Sequence, residues 1–552
     1  MLACALAALA AQDVAATKPK PEPVRLVVMV SVDQMIPEQL DRLAPWLHGG
    51  LGRFAHAGRV FPRAALRYGD TETGPGHAAY GTGCLPRTNG IISNDWFAAD
   101  SRDSLYCFGD RDSRALTDAG VGESRASSPR NLRCDGAADR FEANSRDALT
   151  LAISSKDRSS IGLTGRKADL ALWWNKQRGG FQSSSWYGTE LPAWVRASNA
   201  GWQERLPFAG GWNAELPGNF EGSGTAPDDR EGEPGKSQQR TFPHSVPPRG
   251  AGLDEKGLER LASWVYDGPA GDVMVCDLAL AALEALPFGQ DEVPDLLALS
   301  LSSCDTVGHA YGPTSVEVTD VLLRADRELG RVFDALDARV GKGRWIASLS
   351  ADHGVLELPE TLAARGYASR RLSGKEIGDT FTAARNAAVQ RFGQDFCLAA
   401  NWRGLRLSPG AMAAAKVDPR EVRAFYAEAL RANGGTWLAH AVTWDELKAI
   451  ARDGAPARDG LIAMEANSFD EERSSDVVTL QKPWCLPGNA SGTTHGTPYD
   501  YDRRIPLVFL GAGVEAGRDF REASSIDALP TLLELAGLPD PASLDGRVLL
   551  TR

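Results

Sequence analysis

Histidine is scarce in this chain, 8 in 552 residues, and methionine scarcer still at 6. With so few imidazoles, the place of each one is informative. Long apolar runs are missing too. Nothing reaches the about 18 residues needed to cross a bilayer, which excludes a polytopic membrane protein and argues against stable membrane insertion. The 8 cysteines contain no Cys-x-x-Cys pair, which speaks against zinc ribbons and thioredoxin-type redox sites. Positive charge is in deficit, with 60 Lys and Arg against 72 Asp and Glu and a formal net charge of -12. A nucleic-acid binder carries a basic footprint, so nucleic acid is not an expected partner. A small anionic ligand stays open, because a local metal or Arg cluster overrides the global sign.

What is present is a globular composition, 43% hydrophobic and 24% charged. The length allows several domains of about 150 residues or one large α/β domain with insertions. The opening MLACALAALAAQD resembles the apolar core and cleavage site of a secretory signal, without its basic start. Residues 1–22 are therefore expected to be a signal and linker, and the protein periplasmic or secreted. Export makes disulfides available, with Cys107–Cys134 and Cys397–Cys485 as candidates. Cys4 would leave with the signal, and at least one of the remaining seven cysteines is then unpaired.

Four apolar runs, at 24–32, 295–303, 345–350 and 505–511, read as parallel strands buried on both faces, because they are continuous rather than alternating. Between them lie helical patterns, clearest at 314–340, where Val318, Val321, Leu322, Ala325, Leu329, Val332, Phe333 and Leu336 recur at three- and four-residue steps. The expected fold is α/β: a doubly wound, mostly parallel sheet with helices on both faces. Residues 23–552 form a single domain in this reading, with cap insertions at about 165–250 and 355–480 over the strand carboxyl ends. The first interval holds six of the fourteen tryptophans. Ligands of such sheets bind beyond the carboxyl ends of the strands.

Those ends carry metal-ligand types. Asp33 follows the first run, Asp305 and His309 follow the second, Asp352 and His353 the third, and His495 precedes the fourth. Taken singly, Asp-His-Gly is most often a turn, and Asp-x-x-x-His a helix cap with a surface imidazole. Together, three carboxylates and three imidazoles suffice for two divalent ions with open positions, and mixed Asp/His sets suit zinc. GDTETGPGHAAYGTG adds Thr73 ahead of Gly74-Pro75, with the proline expected at the first helical position. A helix N-terminus presents N–H groups to an anion, and a metal can stabilise the alkoxide. The bland alternative is that Thr71 or Thr73 only caps the helix.

TETGPGHAAYGTGCLPRTNGIISNDWF, preceded by VSVDQM and followed by DTVGHAYG, SADHGV and THGTPYDYDRRIPLVF, resembles the alkaline phosphatase superfamily. The branch it is most similar to is the phosphate-irrepressible bacterial alkaline phosphatases, which use a threonine nucleophile. The likeness runs from about residue 24 to 548. It implies one Zn2+ on Asp305, His309 and His495 and another on Asp33, Asp352 and His353, with Thr73 as nucleophile and bridge. It further implies a phosphothreonine intermediate, small phosphate monoesters as substrates, and a structural His77. Asn94 matches an amide donor to the phosphoryl group; on its own it would be a turn residue. Lys156 and Arg158 match the Lys-x-Arg of the monoesterase branch, where by default they would be a solvated pair. If the segment is extended, they face one side and Asp157 the other. They stand in for a third, magnesium-type site, so no third metal is expected. A monomer is expected.

The nearest rival is a nucleotide pyrophosphatase/phosphodiesterase using the same two-zinc site. A sulfatase needs Cys or Ser in a C-x-P-x-R-like motif, but Thr73 holds that position and Cys84-Leu85-Pro86-Arg87 has its Arg one place early. A noncatalytic phosphate or metal binder would not need Thr73 and all six ligands intact. A membrane-bound phosphoethanolamine transferase would need spanning helices.

Overall fold

The computed structural model describes residues 22–551 apart from 218–222, 234–238, 251, 453–459, 489 and 540–543. The proposed signal therefore lies outside the described residues except for Glu22.

Leu26–Val32 is an inner strand of an eleven-stranded sheet. It pairs in parallel with Asp295–Leu301 on one side and Trp345–Ser350 on the other. All three strands are buried along their whole length, which their continuous apolar runs require. Thr150–Ser154 and Leu170–Trp174 continue the parallel part, and the antiparallel strands Phe181–Ser184, Gly109–Thr117 and Gly120–Ser127 end it. On the other side Leu507–Gly511 runs antiparallel to Trp345–Ser350. That corrects the expectation that all four apolar runs are parallel. A continuous apolar run reports burial on two faces, and says nothing of direction. The 314–340 pattern is the helix Val316–Leu336, whose Ser315 hydroxyl accepts from Val318 N–H.

Register positions the site. Val32 lies opposite Leu301 and Ser31 opposite Ser350, so the three central strands end at one level. Asp33, Asp305 and Asp352 leave the sheet along this one edge.

The interval 165–250 begins with two strands of the main sheet, and only its later part lies outside that sheet. Its tryptophans mostly pack: Trp174 meets Phe181 and Trp202 edge to face at 5.4 and 5.1 Å, and Trp212 Nε1 donates to Asp320 at 2.7 Å. The interval 355–480 carries a core of its own. There a four-stranded sheet, Cys397–Asn401, Gly404–Leu407, Val477–Gln481 and Leu438–Thr443, packs with helices Gly374–Phe392 and Pro419–Asn433 around Leu405, Tyr426, Leu430 and Trp437.

All seven described cysteines are free thiols. The candidate pairs are not formed: the Cys134 thiol is hydrogen-bonded to Cys84 instead, and Cys107 is buried against Gly74. Among the described residues no helix is long and apolar enough to cross a membrane.

Candidate active site

Thr73 is the first residue of the buried helix Thr73–Thr82, so the helix starts two residues before Pro75. A proline is tolerated there because first-turn N–H groups have no intrahelical acceptor. Neither threonine is the cap. Glu72 holds that position, and the Thr71 hydroxyl donates to Thr497 O at 2.9 Å. The Thr73 side chain makes no hydrogen bond among the described residues, although the residue is 2% exposed. Gly76 lets this helix press on the Asp352 backbone, where any Cβ would collide.

Two groups of metal-ligand types converge at the strand ends. Asp305, His309 and His495 offer ligand atoms within 4.8 Å of one another, and so do Asp33, His77 and Asp352. Asp305 and His309 are four apart on helix Ser303–Tyr311 and therefore share a face. His353 stacks on His495 at 3.4 Å between ring centroids, with Nε2 3.1 Å from Asp352 Oδ2.

The histidines are set for coordination. Nδ1 of His309, His353 and His495 lies 2.8, 3.0 and 2.8 Å from the backbone oxygens of Thr493, Gly354 and Thr71. Such a contact fixes Nδ1 as the protonated nitrogen and leaves the Nε2 lone pair for a metal. Nε2 of His353 and Oδ2 of Asp352 are buried and lie 3.1 Å apart without a well-formed hydrogen bond among the described residues, and a bound cation would satisfy both. The residues present thus fit divalent metal. His77 differs: Nδ1 is 2.9 Å from Thr73 O, and Nε2 is 3.1 Å from both Ser300 Oγ and Asp33 Oδ1. With both nitrogens engaged, His77 connects Asp33 to the turn bearing Thr73, and His353 is the better ligand.

Lys156 is inserted between the groups, with Nζ 2.9 Å from Asp33 and 2.6 Å from Asp305. Burial pushes both carboxyls up, but the Lys156 ammonium and neighbouring imidazoles outweigh it and hold them below the usual carboxylate range. Burial likewise acts to lower Lys156, and Asp305 and Asp33 reverse it. His353 is pushed up to about 9, since Asp352 and Asp305 outweigh its burial. His495 lies well below its ordinary value through burial and the other two imidazoles.

The extended-segment expectation for Lys156 and Arg158 does not hold. The strand ends at Ser154, and Lys156 is the cap of helix Asp157–Thr164. The two cations therefore do not follow the alternation of a strand, though they remain near each other and near Tyr266. Arg158 lies by Tyr106 and Cys107, its Nε buried without a partner among the described residues. Asp157 is held by the Tyr106 hydroxyl at 2.7 Å and by Ser127. Asn94 Oδ1 accepts from Gly74 N–H at 2.7 Å, leaving its amide nitrogen to donate elsewhere.

Sequence reasoning missed several residues around these. Gln34, at φ 67°, donates its backbone N–H to Asp352 at 3.0 Å and its amide to Asp305 at 2.8 Å, touching both groups at once. Gly308 makes room for it, since a Cβ there would meet the Gln34 amide oxygen. Ser300 and Ser302 donate to Asp33 at 2.8 and 2.9 Å. Glu72 accepts from Ser93 Oγ and Asn94 N–H at 3.0 and 2.7 Å. Only the residues' place beside Asp33 and Thr73 could have drawn attention to them.

A type I phosphodiesterase / nucleotide pyrophosphatase family profile matches residues 27–496. Alkaline phosphatase PafA of Elizabethkingia meningoseptica is 30% identical over 542 residues, covering 96% of this chain and 94% of its own. Alkaline phosphatase PhoV of Synechococcus elongatus is 29% identical over 535 residues, 95% of this chain and 92% of its own. The crystal structure of wild-type PafA superposes with a TM-score of 0.84 at 28% identity, over 96% of this chain and 99% of that one. The chain belongs to the type I phosphodiesterase / nucleotide pyrophosphatase family of the alkaline phosphatase superfamily, and is a phosphoester hydrolase.

Proposed function

We propose that this enzyme is an alkaline phosphatase: a phosphate monoester hydrolase that works through a phosphothreonine on Thr73 and releases inorganic phosphate. The observation that carries this reading is the unpaired Thr73 hydroxyl, opening a buried helix beside two Asp/His groups that share Lys156. The full-length likeness to PafA and PhoV, both named alkaline phosphatases, supports it.

In this reading Asp305, His309 and His495 would hold one Zn2+ and Asp33, Asp352 and His353 another, with Thr73 as a further ligand. No third metal is needed, because Lys156 already stands against Asp33 and Asp305. Bound divalent ions supply Lewis acidity, drawing charge from the phosphoryl oxygens and lowering the cost of a threonine alkoxide. Thr73 Oγ1 attacks phosphorus in line. Its bond to phosphorus forms as the bond to the leaving oxygen breaks, and the departing alcohol gains a proton. A loose transition state asks mainly for positioning and charge. The Thr73 N–H at the helix start, the Asn94 amide, Lys156 and Arg158 would supply these. Water then cleaves the phosphothreonine, restoring the hydroxyl and freeing phosphate. Small phosphate monoesters are the proposed substrates, and a periplasmic or secreted monomer the proposed form.

The family profile favours a second reading, nucleotide pyrophosphatase/phosphodiesterase action at the same site. The test is a substrate profile of zinc-loaded wild type and Thr73→Ala on monoesters and diesters, with metal content measured on the same samples. Wild type is expected to prefer monoesters, and Thr73→Ala to lose at least about a thousandfold in kcat. Undiminished Thr73→Ala activity refutes the nucleophile, and faster diester hydrolysis by wild type favours the second reading.

A further inference from the structure

A cavity of about 100 Å3 lies beside the site, between the catalytic core and the inserted four-stranded sheet. Asp70, Ser93 and Asp95 line it from the core, and Asn401, Arg403 and Glu465 from the insertion. Its lining residues are chain neighbours of, or bonded to, those proposed to hold the phosphoryl group. Ser93 and Asp95 flank Asn94, Asp70 precedes Thr73 by three residues, and Arg403 donates to the Gly496 carbonyl next to His495.

The charged donors around this cavity are already engaged. Arg403 binds Gly496 O and pairs with Asp70 Oδ2 at 2.9 Å, and its backbone N–H donates to Asn401 Oδ1 at 2.9 Å. Ser93 Oγ donates to Glu72 at 3.0 Å. Arg473, also at the wall, binds Gly90 O and Asn131 O and lies over the Trp96 ring. The charged groups left unsatisfied are acceptors. Asp70 is 4% exposed, and its Oδ1 is buried without a hydrogen-bond partner among the described residues. Glu465 is 7% exposed, and its side chain makes no hydrogen bond among the described residues. Burial pushes both carboxyls up, as expected for buried carboxyls short of donors.

We propose that this cavity receives the alcohol half of the ester and selects short leaving groups carrying hydroxyls over apolar ones of equal length. The inference rests on the monoesterase reading. Its volume suits a short polyol, well below the about 300–1,000 Å3 of pockets for larger ligands. Hydroxyl hydrogens would satisfy the Glu465 carboxyl, whereas an alkyl chain would strip it of water and return nothing.

The test compares kcat/KM for glycerol 1-phosphate and propyl phosphate, which differ only in the hydroxyls. Wild type is expected to prefer the glycerol ester by about tenfold. Glu465→Leu is expected to bring the ratio near unity, and Glu465→Gln, which keeps volume and one acceptor, to an intermediate value. Equal rates in wild type, or a ratio unmoved by both substitutions, overturn the inference and leave the monoesterase reading standing. If neither ester releases phosphate, both fall.

Discussion

Lys156→Met removes the ammonium and keeps most of the stem. In the native chain Nζ stands 2.9 Å from Asp33 and 2.6 Å from Asp305, with Lys156 2% and Asp33 0% exposed. The substitution leaves two buried carboxylates without their shared cation. Removing one member of a buried pair costs about 3–5 kcal/mol. Unfolding entropy is ~2.1 cal/mol/K per residue, or ~1.2 kcal/mol/K over 552 residues. Tm is therefore expected to fall by ~3–4 °C in chelator-treated protein. Saturating Zn2+ restores positive charge at the same carboxylates, so it is expected to raise Tm more in the variant than in wild type. Thermal unfolding of both proteins, with chelator and with Zn2+, decides. Equal Tm values in chelator, or a smaller zinc increment in the variant, would refute the reasoning.

Asn94→Ala removes the acceptor of Gly74 N–H together with the amide donor; kcat/KM for monoesters is expected to drop by about 10- to 100-fold with zinc content unchanged, and zinc loss would refute a role confined to substrate. Gln34→Leu takes the amide from Asp305 and is expected to weaken zinc about 10- to 100-fold in competition with a chelator; an unchanged affinity refutes it. Burial, opposed by hydrogen bonds from Ser303, pushes Asp272 from 3.8 up to about 7. A carboxyl raised by folding contributes stability that is complete below about pH 4 and is lost as pH rises through about 7. Asp272→Asn cannot ionise, so the Tm of wild type is expected to decline relative to the variant over that window, and parallel Tm profiles refute the assignment.

The inner strands and the carboxylates at their ends were readable from sequence because both rest on local pattern. Continuous apolar runs identify strands covered on two faces, and matched register brings Asp33, Asp305 and Asp352 to one edge. The direction of Leu507–Gly511 was not readable, since pairing partners are chosen by tertiary contact. The extended segment expected around Lys156 and Arg158 is not there. The i, i+2 rule assumes a strand, and the strand had already yielded to a helix cap at Lys156. Gln34 stands in VSVDQM, but neither its positive φ nor its bonds to Asp352 and Asp305 can be read from that run. The second core escaped notice because Gly404–Leu407 pairs with Val477–Gln481 across some seventy residues. The cysteine pairing failed similarly, since spacing in sequence does not report which thiols meet.

Charge at the site argues for monoesters over diesters despite the acidic chain. Asp33, Asp305 and Asp352 bring three negative charges, and Lys156 and Arg158 two positive ones. Two divalent ions in the proposed sites would turn the balance to three positive, and a Thr73 alkoxide would lower it to two. A monoester dianion neutralises that balance, whereas a diester monoanion leaves one positive charge unmatched. Replacing both Lys156 and Arg158 by Ala takes the balance to zero, where nothing favours the dianion. The double variant is therefore expected to lose more kcat/KM toward monoesters than toward diesters, with the ratio falling at least about tenfold. An unchanged ratio would mean that neither cation discriminates, and the monoester preference would have to come from the shape of the leaving-group cavity.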